Sequence, residues 1–236
     1  MYYAQQKKNG KTNWFSETKR IYELIKSEKR PYDVSILNKR FIVLPGVFSP
    51  KYFNDTEYFA TELPTIAKKG HLLEIGTGTG IIAIICAIHG LKVVATDINS
   101  RAVKNAILNS KKQSVSVDIR KGNLFKCISK NEKFDYIFWN HPWNKDTSKR
   151  KEILLKAGFD YKYEMIHKFI KESKKHITRK GKVLIGTGGF ADIKDMTRYA
   201  KKEGYFVKCV RKKCFNLGNR SKKTYFMIYQ LSLRED

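Results

Sequence analysis

Asn140, His141, Pro142 and Trp143 follow directly on an apolar, aromatic stretch, FDYIFWN (134–140). A turn that only reverses the chain is served by Asn-Gly or Asp-Gly. This one carries three other tools in succession. Asn140 has a side-chain oxygen that can accept an N–H bond. Pro142 stiffens the backbone, and Trp143 offers an aromatic face for stacking. Such a turn suits a flat, nitrogen-bearing group. His141 could act as a base near neutral pH, or simply be a variable position of the turn. The plain alternative has Asn140 capping a turn and Trp143 packed in the core.

A second constellation lies upstream. LLEIGTGTGIIAI places Gly76, Thr77, Gly78 and Gly80 between a strand and an apolar helix. Glycines there allow a tight turn and let a ligand sit against the backbone. Asp97, followed by Ile98, lies 21 residues beyond Gly76, at the tip of the next strand. A carboxylate in that place accepts both hydroxyls of a ribose. Dinucleotide folds want Gly-x-Gly-x-x-Gly, whereas the spacing here is Gly-x-Gly-x-Gly, with Ile81 and Ile82 next. That spacing speaks against nicotinamide-dependent oxidoreduction. Glu74, two positions before Gly76, would repel a pyrophosphate but suits a ligand bearing an ammonium and a sulfonium. The loop therefore points to S-adenosylmethionine.

The elements that must position these residues follow from periodicity. A helix is expected from Ser16 to about Lys29, stopped by Pro31. VSILNKRFIVL reads as one or two strands. A short helix capped by Asn54 or Asp55 runs to Ala67, kinked or ended by Pro64. Strands are expected at 71–75, 91–97, 115–120, 134–140, 182–186, 205–210 and 224–231, with helices near 81–89, 100–111, 161–175 and 192–202. GTGG (186–189) reads as a turn at the rim of the site. Alternation of this kind predicts an α/β fold: a Rossmann-like, doubly wound, mostly parallel seven-stranded sheet, helices on both faces and an antiparallel C-terminal strand. Residues 1–45 read as an N-terminal helix and strand extension, and 46–236 as the catalytic domain.

Composition bounds the rest. The chain holds 48 Lys+Arg against 22 Asp+Glu, a net charge of +26. Residues 146–236 carry 24 basic and 10 acidic residues of these. Such an excess favours a polyanionic partner, RNA or DNA. RKKCFNLGNRSKK (211–223) would be either a substrate-binding loop or a solvated hairpin. The longest apolar run, Ile81–Ile88, is far short of a membrane span. MYYAQQKKNGKTNW has no apolar signal core, so a cytoplasmic protein is expected. Cys86, Cys127, Cys209 and Cys214 are scattered, without metal-ligand spacing. They read as free thiols, and no metal site is expected.

Residues 71–140 resemble the class I S-adenosylmethionine-dependent methyltransferases. LLEIGTGTG is similar to their first motif and VVATDINSRAVKNAILN to their second. KGNLF and KFDYIFWNHPW resemble the third and fourth. The subgroup it looks closest to ends the fourth strand in Asn-Pro-Pro-aromatic. That subgroup includes release-factor glutamine methyltransferases and base amine methyltransferases acting on RNA and DNA. PGVFSPKYFNDTEYFATELP is similar to the connector that precedes the domain in these enzymes, where Phe48, Asn54 and Thr56 would border the cofactor or serve packing and capping.

The resemblance implies that Asn123 and Leu124 meet the adenine, with Gly122-Asn123 standing where the family commonly has Gly-Asp. It also implies that the backbone carbonyl of residue 141 joins the Asn140 oxygen in gripping the acceptor nitrogen. His141 replaces the family's first proline, a change the carbonyl survives. The activity implied is N-methylation of a planar exocyclic amine of a nucleic-acid base, in rRNA or tRNA. Alternatives are methylation of a protein glutamine and a catalytically silent nucleic-acid-binding protein on the same scaffold.

Overall fold

The computed structural model of the protein describes residues 14–216 and 223–233. Helix α1 (Trp14–Ser27), a hairpin of β1 (Tyr32–Ile36) and β2 (Lys39–Val43), and α2 (Asp55–Ile66) come first. Strands and helices then alternate: β3 (His71–Ile75), α3 (Ile81–Ile88), β4 (Lys92–Asp97), α4 (Ser100–Lys112), β5 (Asp118–Lys121) and β6 (Phe134–Asn140). A short excursion follows, made of β7 (Asn144–Asp146), α5 (Ile153–Lys156) and β8 (Phe159–Tyr161). The chain closes with α6 (Glu164–Ser173), β9 (Ile177–Gly188), α7 (Ile193–Lys202), β10 (Tyr205–Asn216) and β11 (Lys223–Leu233).

Seven strands form one sheet in the order β10-β11-β9-β6-β3-β4-β5. β11 runs antiparallel to both its neighbours, and β3, β4, β5, β6 and β9 pair in parallel. This is the Rossmann-like doubly wound sheet with its antiparallel C-terminal strand. The chain winds outward from β3 through β4 to β5, then returns to place β6 on the other side of β3. The ligand crevice of such a sheet opens at the carboxyl ends of the strands where the winding reverses. The loops after β3, β4 and β6 therefore converge.

The sheet is covered on both faces, which explains its sequence. Leu72, Leu73, Glu74 and Ile75 of β3 are all buried, so the strand reads as a run rather than an alternation. In α3, Ile81 through Cys86 are buried. Each isoleucine removed from water there contributes roughly 1.5–3 kcal/mol. In the N-terminal hairpin, Leu37 and Asn38 take φ of 51° and 59°, the geometry of a two-residue turn matched to strand twist.

Several boundaries differ from the expected ones, each for a local reason. α1 begins at Trp14, so Ser16 lies within it rather than capping it. β5 starts at Asp118, not Val115, because the end of α4 consumes the intervening residues. Ser114 turns to φ 55°, and Val115 N–H returns to the Ser110 carbonyl at 3.1 Å. The helix expected over 161–175 starts at Glu164: Tyr163 has φ 61°, and the Asp160 carboxylate accepts from Met165 N and Ile166 N, at 3.1 and 2.9 Å. The expected turn GTGG is instead mostly strand, since β9 pairs with β11 through Gly188. Its glycines make room for rings. A Cβ on Gly186 would lie 2.9 Å from Phe59, and one on Gly188 would lie 2.3 Å from the Trp143 indole. Of the basic segment 211–223, residues 211–216 extend β10 and Lys223 opens β11; the rest lies outside the described residues.

Candidate active site

A cavity of about 370 Å³ sits at the carboxyl ends of β3, β4 and β6, within the size range of small-ligand sites. Its first half is built by the glycine loop. Gly76 and Gly78 have φ of 67° and 57°, and nothing lies within 4 Å of a Cβ built on Gly78, so this backbone faces open space. Gly80 does not line the cavity. Its φ is 82°, and a Cβ would strike the Ala106 backbone at 2.9 Å. The expectation of a ligand contact at Gly80 is thus corrected: this glycine lets α3 pack against α4.

Glu74 is 2% exposed and lies under the loop, where the Thr77 hydroxyl donates to it at 2.5 Å. Burial pushes its carboxyl up to about 8. Asp97, at the tip of β4, accepts from Gly78 N at 2.9 Å and from Asn99 N at 2.8 Å. With Ile98 N–H also directed at it, the carboxylate still keeps a lone pair for a ribose hydroxyl. Desolvation raises its carboxyl also, against these backbone donors. Ile98, Asn123 and Leu124 line the same half. Gly122 N bonds the Asp97 carbonyl at 2.9 Å and Leu124 has φ 51°, so the loop after β5 is tied to the β4 tip.

These groups fit S-adenosylmethionine. The open backbone at Gly78 gives room, the buried Glu74 carboxyl answers a cationic ligand end, and Asp97 answers a diol. Among the described residues no group of three His, Cys, Asp or Glu is placed to hold a metal ion.

The other half is built around the β6 turn. Asn140, His141, Pro142 and Trp143 all line the cavity. Asn140 donates from Nδ2 to Asp55 Oδ2 at 2.7 Å, and its Oδ1 accepts from Trp143 Nε1 at 3.1 Å. Trp143, expected to offer a face for stacking, is 8% exposed and packed against Gly188, Phe190 and Phe226. What it presents to Asn140 is its indole N–H. The His141 ring points into the core, 3.0 Å from the Thr187 hydroxyl and edge-on to Tyr163. Burial pulls it down to about 3, so the imidazole stays neutral near pH 7 and is a weak proton acceptor there. The Tyr163 hydroxyl donates to the Trp143 carbonyl at 2.8 Å and braces the turn from beneath.

Sequence reasoning missed Asp55 and the contributions of α1 and of the excursion after β6. Asp55 was expected only as a possible helix cap, yet it is 3% exposed and bonded to Asn140. Nothing local in the sequence separates these two uses of an aspartate at a helix start. Thr18 and Tyr22 of α1, and Lys149, Arg150, Leu154, Lys156 and Phe159 of the excursion after β6, also line the cavity. Phe48 and Thr56 border it too; Asn54 does not.

Residues 38–203 match the family described as the methyltransferase small domain. The chain belongs to that family. It is an S-adenosylmethionine-dependent methyltransferase. A relative from Methanocaldococcus jannaschii, provisionally named a protein N5-glutamine methyltransferase, is 33% identical over 168 residues, or 69% of this chain and 83% of its own. The ribosomal RNA small subunit methyltransferase C of Pseudoalteromonas translucida is 24% identical over 181 residues, 75% of this chain and 49% of that one. The fold is shared with a T. thermophilus 16S rRNA N2 G1207 methyltransferase solved with AdoMet and guanosine: TM-score 0.61, 13% identity, 87% of this chain and 50% of that one. This methyltransferase thus spans about half the length of the last two. None of its helices, among the described residues, is long and apolar enough to cross a membrane.

Proposed function

We propose that the chain N-methylates a planar exocyclic amine of a nucleic-acid base, in RNA, as a member of the Asn-Pro-Pro-aromatic subgroup whose first proline is replaced by His141. The observation that carries this is the Asn140 amide at the cavity wall, its oxygen turned away from Asp55. An exocyclic amine is a poor nucleophile because its lone pair is delocalised into the ring. Two acceptors, Asn140 Oδ1 and the His141 carbonyl, would grip its two N–H bonds and hold that lone pair toward the methyl donor. S-adenosylmethionine supplies the methyl group as an electrophilic sulfonium substituent. Glu74 and Asp97 would bind its two ends, and Asn123 and Leu124 its adenine. Neutral His141 takes no proton in this scheme.

RNA is favoured by the net charge of +26 and by Lys149, Arg150 and Lys156 on the cavity wall. A second reading, methylation of a protein glutamine, is supported by the relative from Methanocaldococcus jannaschii. A glutamine carboxamide is equally planar and would use the same two acceptors. The test supplies labelled S-adenosylmethionine together with total RNA and total protein, followed by mass spectrometry of nucleosides. Label in a methylated nucleoside supports the first reading; label confined to protein ends it. A cytoplasmic place of action goes with either substrate.

A further inference from the structure

We propose that Asp55 is a positioning residue that locks the side-chain amide of Asn140 in its working orientation. The inference deepens the reading above and rests on it. An asparagine amide is nearly symmetric in shape, and a half-turn exchanges its oxygen for an NH₂ group. In the wrong orientation it would aim two N–H bonds at an acceptor amine that itself offers only N–H bonds. The turn therefore needs something that tells the two ends apart.

Two neighbours do so independently. An ionised carboxylate accepts only, and Asp55 Oδ2 lies 2.7 Å from Asn140 Nδ2. An indole N–H donates only, and Trp143 Nε1 lies 3.1 Å from Asn140 Oδ1. Both contacts require the same orientation. The oxygen keeps one lone pair beyond the indole bond, and Asn140 lines the cavity. Rotating the amide would oppose NH₂ to the indole N–H and oxygen to carboxylate at once.

The arrangement is anchored from two directions. Asp55 opens α2, where the backbone N–H groups of Thr56 and of Asp55 itself favour its charge. Burial works the other way and pushes the carboxyl up to about 6. The titratable group facing it from α1 is Tyr22, whose own hydroxyl is raised by burial and stays protonated throughout. Asn140 and Trp143 face it from the β6 turn and are neutral. Asp55 is therefore ionised at neutral pH, and below about pH 6 its proton removes the discrimination on that side.

The test compares wild type with D55N and D55A, using an RNA shown by nucleoside mass spectrometry to be methylated, at saturating cofactor so that only kcat is read. Aligned acceptors of this kind are worth about ten- to a thousandfold in rate. We expect D55A to lower kcat at least about thirtyfold and D55N about tenfold, with the cofactor Kd within about threefold of wild type. The wild-type kcat should fall on the acid side of about pH 6, and that limb should vanish in D55N. In ¹⁵N spectra, the Asn140 side-chain NH₂ signal, assigned by its absence in N140A, should titrate with the same midpoint and cease to do so in D55N.

Unchanged kcat in D55N, or an acid limb that persists in it, overturns the proposal. So does a loss of kcat matched by losses of cofactor affinity and melting temperature, which would make Asp55 merely structural. Where D55A does not fold, D55N decides. If wild type methylates no RNA, the functional reading fails instead, and the NMR titration alone judges the Asp55 contact: an NH₂ signal indifferent to pH refutes it.

Discussion

Cofactor binding should expel a proton, and Glu74 is the reason. The carboxyl lies 2% exposed beneath the glycine loop, and burial raises it from 4.5 to about 8. At pH 7 the free protein therefore holds Glu74 mostly protonated. A ligand carrying an ammonium and a sulfonium favours the charged form, so the proton must leave as the ligand enters. One pKa unit is about 1.4 kcal/mol. Affinity at pH 7 should thus sit about tenfold below its alkaline limit, and at pH 6 about a hundredfold below.

The assay is titration calorimetry with S-adenosylmethionine from pH 6 to 9, in two buffers of different ionisation enthalpy. Close to one proton should be released at pH 7. The ligand's own amine titrates near 8 and acts in the opposite sense, so E74Q is the control: it should show no release and no gain in affinity up to pH 8. The same shift sets a sign for stability. A carboxyl raised in the folded state binds more protons there, so stability is full below about pH 4.5 and declines as pH rises toward 8. Affinity that is flat from pH 6 to 8, with identical heats in both buffers, would refute the argument.

Asn140→Ala should cost about 10²- to 10³-fold in kcat while leaving cofactor affinity nearly intact, measured by label transfer and calorimetry. His141→Pro should keep much of the activity, because the proposed contact is a backbone carbonyl and the ring is already neutral; a loss comparable to that of Asn140→Ala would show the imidazole is needed. Gly188→Ala places a Cβ 2.3 Å from the Trp143 ring and should destabilise the fold by about 1–3 kcal/mol, read as a lower denaturant midpoint at unchanged slope. RNA affinity should fall log-linearly with salt, and replacing Lys149 and Lys156 together should lower that slope by about two; a salt-independent affinity would remove the electrostatic argument.

The central sheet was legible because its signals are local. β3, the glycine loop and α3 are a buried run, a cluster of left-handed turns and an apolar helix, each fixed by its own residues. Asp97 and Asn140 were legible for the same reason, since a strand tip is where a strand pattern ends. Less visible were features that depend on contacts far apart in sequence. Asp55 meets Asn140 across 85 positions. Gly80 resembles its neighbours Gly76 and Gly78, and only the approach of Ala106 separates their uses. Gly186 and Gly188 read as a turn, because no local signal reveals that Phe59, Phe138 and Trp143 occupy the space their side chains would take. The excursion after β6 is built from two three-residue strands and a four-residue helix, too short to carry any period.

Among the described residues the N-terminal hairpin pairs only its own two strands; side-chain amides of α4, with Gln113 just beyond it, hold its outer edge. Asn105 exchanges bonds with Leu44 N at 2.7 Å and the Ile42 carbonyl at 2.7 Å, and Asn109 accepts from Ile42 N at 2.8 Å. Asn109 also donates to the Thr79 carbonyl at 2.9 Å, inside the glycine loop. Both asparagines are wholly buried. Cutting the chain back to β3 would thus take the Ile42 and Leu44 partners from both amides and open that face of α4 to water. It would also free the turn that borders the cofactor half of the cavity. Residues 32–44 thus bear on the cofactor half through Asn109 and the Thr79 carbonyl, although none of them lines that cavity.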